Sequence, residues 1–475
     1  MIVRLLPCLL VGLFALNAHA AEPKTAEPKT AEPSTPKPAP KSISAKEYSA
    51  DLMQLYRESR LEDPRVLASY SRAQSSKEQQ REALGGLLPQ VTANAGANRI
   101  KQVNENTNQI YNSENYSITL SQHLYNKAAW ENYQRYKSLA KQSQSESEEA
   151  QAEATVDLAQ RYFAALAADD ELELVQAERR ATQKNLDRVN ALYAKQLAMI
   201  TDKLDIQARV DSLAAQEVDA RNQVRVTRAA LSEIVGRPVK ERLSRVRDDV
   251  ELQVSAESLE NWVQLAVNSN PQIRAGESAV EAAGAALRGG KGGHYPTLSL
   301  NLSAQNTNEG YNNALAPKTD SYVAGIGLQV PIYSGGSTSA RVRGLYQDQT
   351  TAELQMEATR RQVVKETTNA YLTADSSVEK IRANRNALSS AEQSSVASQA
   401  AFSYGVVNAV DVLTATQNEF KARRDLLKTQ YDFITNLFIL NRWAGKLSEE
   451  SVESVNVWLS NNSKTDTVPD RNSKQ

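Results

Sequence analysis

The sequence predicts a mainly α protein that carries a membrane β-barrel, built from a duplicated strand–strand–long helix unit. Three observations predict it. An export signal is followed by no spanning helix, two pairs of alternating strands each lead into a very long helix, and landmarks recur at a fixed spacing. Pro64 and Pro271 are 207 residues apart, as are Pro89 and Pro296; Asp202 and Asp411 are 209 apart, as are Gly236 and Gly445. Four landmarks that agree within two residues mark a duplication.

At the N-terminus, Arg4 precedes an apolar run from Leu5 to Leu16 and then Ala18-His19-Ala20. This is the pattern of a secretory signal peptide, residues 1–20, with an A-x-A cleavage site. The run is too short to span a bilayer. Cys8, the one cysteine, lies inside it, so the mature chain is expected to hold no disulfide, thiolate metal site or cysteine nucleophile. Residues 21–43 are rich in Pro, Lys and Glu and read as an extended, solvated linker; 461–475 read as a disordered tail. The first structural repeat is expected over 44–248 and the second over 249–460.

The first repeat opens with a helical pattern broken at Glu62-Asp63-Pro64, where proline suits a first turn. Strands are expected at about 91–100 and 116–125, separated by an Asn-rich loop. Tyr116, Ile118, Leu120, Gln122 and Leu124 alternate with Ser117, Thr119, Ser121 and His123, which gives one apolar face. From Lys127 to Tyr193, 67 residues contain neither Gly nor Pro, enough for about 100 Å of helix. A second helix follows Ala198-Met199-Ile200-Thr201-Asp202 and is closed by Gly236 and Pro238. The second repeat runs the same way. Strands are expected at about 297–306 and 321–333 with a polar loop between them, followed by a long helix. That helix stops and restarts within Phe402–Glu419: Gly405 turns the chain, Asn408 caps, and Asp411 falls in the new first turn.

Strands of about ten residues cross a bilayer when tilted, and Tyr116, Tyr125, Tyr322 and Tyr333 mark the ends of their apolar faces as an interfacial belt does. Four strands cannot close a barrel, and open edges in lipid leave unpaired backbone groups, so other copies of the chain must complete it. The alternative is an exported structural or adhesive coiled-coil protein without channel activity.

Other classes find little support. A net charge of -1 supplies no basic field for nucleic acid. Of three histidines, His19 is in the signal, and His123 and His294 stand at strand ends without metal-ligand spacing. Gly289-Gly290-Lys291-Gly292-Gly293 lacks the Ser/Thr of a phosphate loop and reads as a flexible helix-to-strand joint. No enzyme, cofactor or metal is expected.

The chain resembles the TolC family of outer-membrane efflux and type I secretion channels. Asn270-Pro271, Tyr295-Pro296-Thr297, Val330-Pro331-Ile332-Tyr333-Ser334-Gly335-Gly336 and Val410-Asp411-Val412-Leu413-Thr414-Ala415-Thr416 carry the resemblance. Leu87-Leu88-Pro89-Gln90 and Ile200-Thr201-Asp202 are its first-half echoes. It implies a homotrimer, with a twelve-stranded barrel in outer-membrane lipid and an α-helical barrel through the periplasm. It also implies a periplasmic adaptor (membrane fusion) protein and an inner-membrane ABC or proton-driven transporter that supplies the energy. The tunnel would be gated at the periplasmic hairpin tips. There Asp411 matches the first acid of an inward-facing ring, and Thr414 stands where the second acid belongs. Asp205, the first-half equivalent of Thr414, could supply that second charge. Thr201 and Asp202 match the positions that tether the closed gate, but Val407 stands at the arginine they would bind. Phe402 falls at the gate tyrosine, and Tyr404 lies two residues beyond. A second role for Asp202 and Asp411 is helix capping.

Overall fold

The computed structural model describes residues 50–104, 107–247, 250, 252–253, 257–309 and 318–459, all within one compact unit of residues 47–475. The expected signal peptide, linker and C-terminal tail lie outside the described residues. Helix α1 (Leu52–Glu62) ends where Asp63 turns the chain, and α2 (Pro64–Gly85) starts with Pro64 in its first turn. The Asp63 side chain accepts from the Arg65 N–H at 2.9 Å, so the carboxylate takes up one free donor and proline removes another.

Strands β1 (Gln90–Asn104) and β2 (Thr107–Tyr125) form an antiparallel hairpin, and β3 (Thr297–Glu309) with β4 (Thr319–Gln329) forms another. The two hairpins join through β2 and β3 into a four-stranded sheet in chain order. Four strand limits differ from the sequence expectation. The Asn-rich stretch on either side of residues 105–106 continues the ladder, because paired backbone groups hold polar strands as well as apolar ones. β3 likewise runs on to Glu309, past its expected end at about 306. β4 stops at Gln329, so Tyr333 lies beyond the strand rather than at its end; Pro331 has no N–H for a ladder.

Long helices carry the rest. α3 (Lys127–Ala194) has 68 residues, and α4 (Ile200–Val235) returns beside it. α5 (Leu259–Ser269) and α6 (Pro271–Lys291) lead to β3. α7 (Ser337–Ser403) has 67 residues, α8 (Ala409–Trp443) returns beside it, and α9 (Glu449–Asn456) follows. Among the described residues, no helix is long and apolar enough to cross a membrane. Gly236 and Gly445 close their helices at φ 78° and 67°. The glycine-rich segment before β3 is not a flexible joint: Gly289 to Lys291 finish α6, and a Cβ on Gly292 would stand 2.8 Å from the Ala128 nitrogen. Glycine is needed there because the joint is packed against the start of α3.

The main core lies midway along the long helices. Tyr162, Phe163, Leu166, Leu231, Phe433, Ile434 and Phe438 are packed there with Leu52 and Leu55 of α1 and Val452 of α9. The Tyr162 hydroxyl donates to the Ser244 carbonyl at 2.9 Å, and Phe163 stacks on Tyr431 at 5.8 Å. Burying large rings beside chain segments from both ends of the sequence locks the two repeats together at this level.

Candidate gate at the hairpin tips

Each helical hairpin ends in a five-residue turn. The first, Lys195 to Met199, links α3 to α4; the second, Tyr404 to Asn408, links α7 to α8. Both use the same closing bond: the Leu197 N–H donates to the Leu192 carbonyl at 2.9 Å, and the Val406 N–H to the Ala401 carbonyl at 3.0 Å. This six-to-one bond requires a left-handed residue just before the donor. Gly405 fills that place in the second tip with φ 73°, whereas Gln196 fills it in the first with φ 60°.

The new helix starts differently in the two tips. Asn408 and Asp411 form a reciprocal capping box: Asp411 N donates to Asn408 Oδ1 at 2.7 Å, and Asn408 N donates to Asp411 Oδ2 at 3.2 Å. The capping role expected for Asp411 is therefore present. For Asp202 it is not. The residue before α4 is Met199, which has no side-chain oxygen to cap with, and no side-chain cap bond forms there. Thr414 donates its hydroxyl to the Val410 carbonyl of its own helix at 2.9 Å.

Asp411 and Thr414 share one exposed stripe of α8 with Asn418, Lys421, Asp425, Lys428 and Asp432. Thr201 and Asp205 are exposed on α4, Asp202 is half-buried, and Tyr404 is exposed at the turn. Phe402 turns the other way. It packs with Ala198 against a small cluster of Leu186 and Val189 from α3, Ile206 and Val210 from α4, and Ala409 and Leu413 from α8. The Arg188 guanidinium carbon lies 5.9 Å from the centre of the Phe402 ring. The structure thus joins the tips through apolar packing and a cation–π contact, worth about 0.5–1 kcal/mol at an exposed site, where Val407 offers no guanidinium for a salt bridge.

Further along the helices, the buried Glu178 of α3 ties both hairpins together. Arg209 of α4 pairs with one carboxylate oxygen, and Arg424 of α8 donates to the other at 2.6 Å. Arg424 also reaches Glu171 at 3.0 Å. Burial raises the Glu171 pKa despite that partner. A single charged Glu in a helical run carries no sequence signal for this role. Its partners stand 31 and 246 residues away.

The geometry defines a class of protein: a β-sheet with an uncovered apolar face, set on long helical hairpins with paired tips. Comparison with known proteins makes the assignment. The family model described as outer membrane efflux protein matches residues 55–237 and 262–446, and the chain belongs to that family. It is similar to outer membrane protein TolC of Vibrio cholerae serotype O1, 28% identical over 423 residues that cover 88% of this chain and 96% of that protein. It is also similar to the proteases secretion protein PrtF of Dickeya chrysanthemi, 26% identical over 388 residues, 79% of this chain and 83% of that one. Among solved structures, CusC superposes with a TM-score of 0.74 at 17% identity, covering 88% of this chain and 99% of that one. The open-state channel MtrE of Neisseria gonorrhoeae does so at 0.72 and 17%, covering 87% and 95%. The chain is an outer-membrane efflux or type I secretion channel protein that reaches into the periplasm.

Proposed function

We propose that the chain works as a homotrimer, the exit duct of a tripartite efflux or type I secretion system. Three sheets close a twelve-stranded barrel in outer-membrane lipid, and three sets of hairpins form the periplasmic helical barrel. A periplasmic adaptor protein joins it to an inner-membrane ABC or proton-driven transporter, which supplies the energy. The observation that carries this reading is the sheet. Its apolar face, with Val91, Ile118, Tyr322, Ile326 and Leu328, is exposed, and its edge strands β1 and β4 have no further partner among the described residues. Lipid covers such a face and other copies cover such edges, as the hydrocarbon core demands. A soluble coiled-coil protein would leave both uncovered.

The gate lies at the hairpin tips. Asp411, repeated by symmetry, lines the constriction with Thr414 beside it; Asp205 adds charge from the first hairpin, and Thr201, Asp202, Phe402 and Tyr404 shape the closed tip. Capping uses one of the carboxylate's several acceptor sites, so capping and cation attraction coexist. The domain limits given by the two repeats follow the same duplication.

Single-channel conductance in a planar bilayer tests this, wild type beside Asp411→Asn. Asparagine can still accept from the Asn408 N–H, so the variant removes charge and spares the cap. Small cation-selective openings that lose selectivity and multivalent-cation block in the variant support the gate. Unchanged selectivity reduces Asp411 to a cap. No conductance, with protein soluble without detergent, overturns the channel.

A further inference from the structure

Strand parity sorts the two faces of the sheet over its central rows, and the face opposite the apolar one has a chemistry of its own. The register places Val91, Leu120, Leu302 and Ala324 in one row, and Ala93, Ile118, Ala304 and Tyr322 in the next, all on the apolar face. Between and behind them, the other face carries Thr92, Thr119, Ser303 and Val323 in one row, and Asn94, Ser117, Gln305 and Ser321 in the next. One row toward the helices it carries Ser121, Asn301 and Gly325; one row away from them, Gly96, Asn115, Thr307 and Thr319. Apart from Val323, these rows are hydroxyls, carboxamides and glycines. His123, paired with Ser299, is the ionisable group at their helix-proximal end.

The groups form a surface rather than a scatter. Gln305 Nε2 donates to Thr307 Oγ1 at 3.1 Å, along the strand on this face. Asn115 lies over Gly96, where a Cβ would collide with its side-chain oxygen. Glycine at 96 thus leaves room for this placement of the carboxamide, which a Cβ would make swing aside.

We infer that over these four rows the barrel wall is an uncharged lining, mainly of hydroxyls and carboxamides, that passes polar cargo of either sign, so that charge selection along this stretch and the helices is made by the helical part of the duct. The inference rests on the reading of the sheet as one part of a closed barrel with its apolar face in lipid. The physical argument is direct. Neutral donors and acceptors replace the water hydrogen bonds of a cation or an anion alike, whereas fixed charges on a wall bias the local concentration of ions by sign. The exposed stripe of α8 is of the second kind, with Asp411, Lys421, Asp425, Lys428 and Asp432.

Cysteine accessibility tests it, since the sequence has one cysteine, Cys8, in the expected signal peptide. Ser303→Cys and Asn301→Cys report on the lining, and Leu302→Cys on the lipid face. Proteoliposomes are treated from outside with an anionic (sulfonatoethyl) or a cationic (trimethylammonioethyl) methanethiosulfonate. Each rate is divided by that reagent's rate with a free thiol. The expected cation-to-anion ratio at 301 and 303 lies within about twofold of one. A ratio beyond about tenfold, a bias of about 1.4 kcal/mol, overturns the inference. Should Leu302→Cys react as fast as Ser303→Cys, the assignment of faces fails, and the closed-barrel reading falls with it.

Discussion

The two hairpin tips are the same turn made twice with unequal materials. Gln196 and Gly405 occupy one left-handed position, Met199 and Asn408 one cap position, and Asp202 and Asp411 one third helical position, each pair 209 residues apart. The second tip has glycine where the backbone demands it and a complete capping box. The first has a side chain in the left-handed region, at a cost of about 1–2 kcal/mol, and a cap residue that cannot bond. Duplication fixes the path of the chain, but the sequence of each copy sets how firmly that path is held. These differences predict that the first tip is the looser leaf. Its neighbours compensate, through the apolar cluster with Phe402 and through the Glu178 clamp, whose equivalent place in the second hairpin is taken by Ala387.

The largest effect should come from cutting the clamp. Arg424→Met takes one of its two cations from the buried Glu178, and losing a hydrogen bond to a charged group costs about 1.5–3 kcal/mol. Thermal unfolding in detergent should fall by several degrees, with α3 and α4 losing amide-exchange protection more than α7. Equal loss in both hairpins would mean that the clamp does not favour the first.

Exchanging the caps should come next. Asn408→Ala removes a cap worth about 1 kcal/mol and should raise amide exchange at the start of α8 to the level seen at the start of α4. Met199→Asn should do the reverse. Met199 has φ -80° and ψ 151°, close to the -86° and 171° of Asn408, so the backbone is already set for a capping box with Asp202. If protection at α4 does not rise, the difference between the tips lies in packing, not in capping.

The smallest effect belongs to the turn residue. Gln196→Gly relieves left-handed strain but adds freedom to the unfolded chain, for a net gain of about 0.5 kcal/mol. Gly405→Gln should lose a similar amount. A first tip destabilised by glycine would show that Gln196 makes a contact that outweighs its backbone strain.

Much of this was legible in order along the chain. Pro64 and Pro271 announce helix starts because proline has no N–H to lose there. The parity of Tyr116 to Leu124 gives the sheet its faces, and Asn408 with Asp411 announces the cap. Each of these signals is local. The limits of β1, β2 and β3 were not legible, because an Asn-rich segment reads as a loop until a partner strand supplies its hydrogen bonds. Neither was the meaning of Met199, since what matters there is an oxygen that is missing from a place known only once α4 is seen to begin at Ile200.

By itself, then, the sequence determined the duplication, the alternation of strand faces, the long helices and the turn at Gly405, all of which follow from periodicity and from the φ limits of single residues. Tertiary structure alone decided which charges meet. Glu178 finds Arg209 on α4 and Arg424 on α8, and Arg188 finds Phe402 on α7, because helices from both repeats lie side by side at those levels. The physical reason is that a helix fixes which of its own residues share a face but not the neighbour that face will meet. The neighbour is set by burial summed over the whole chain.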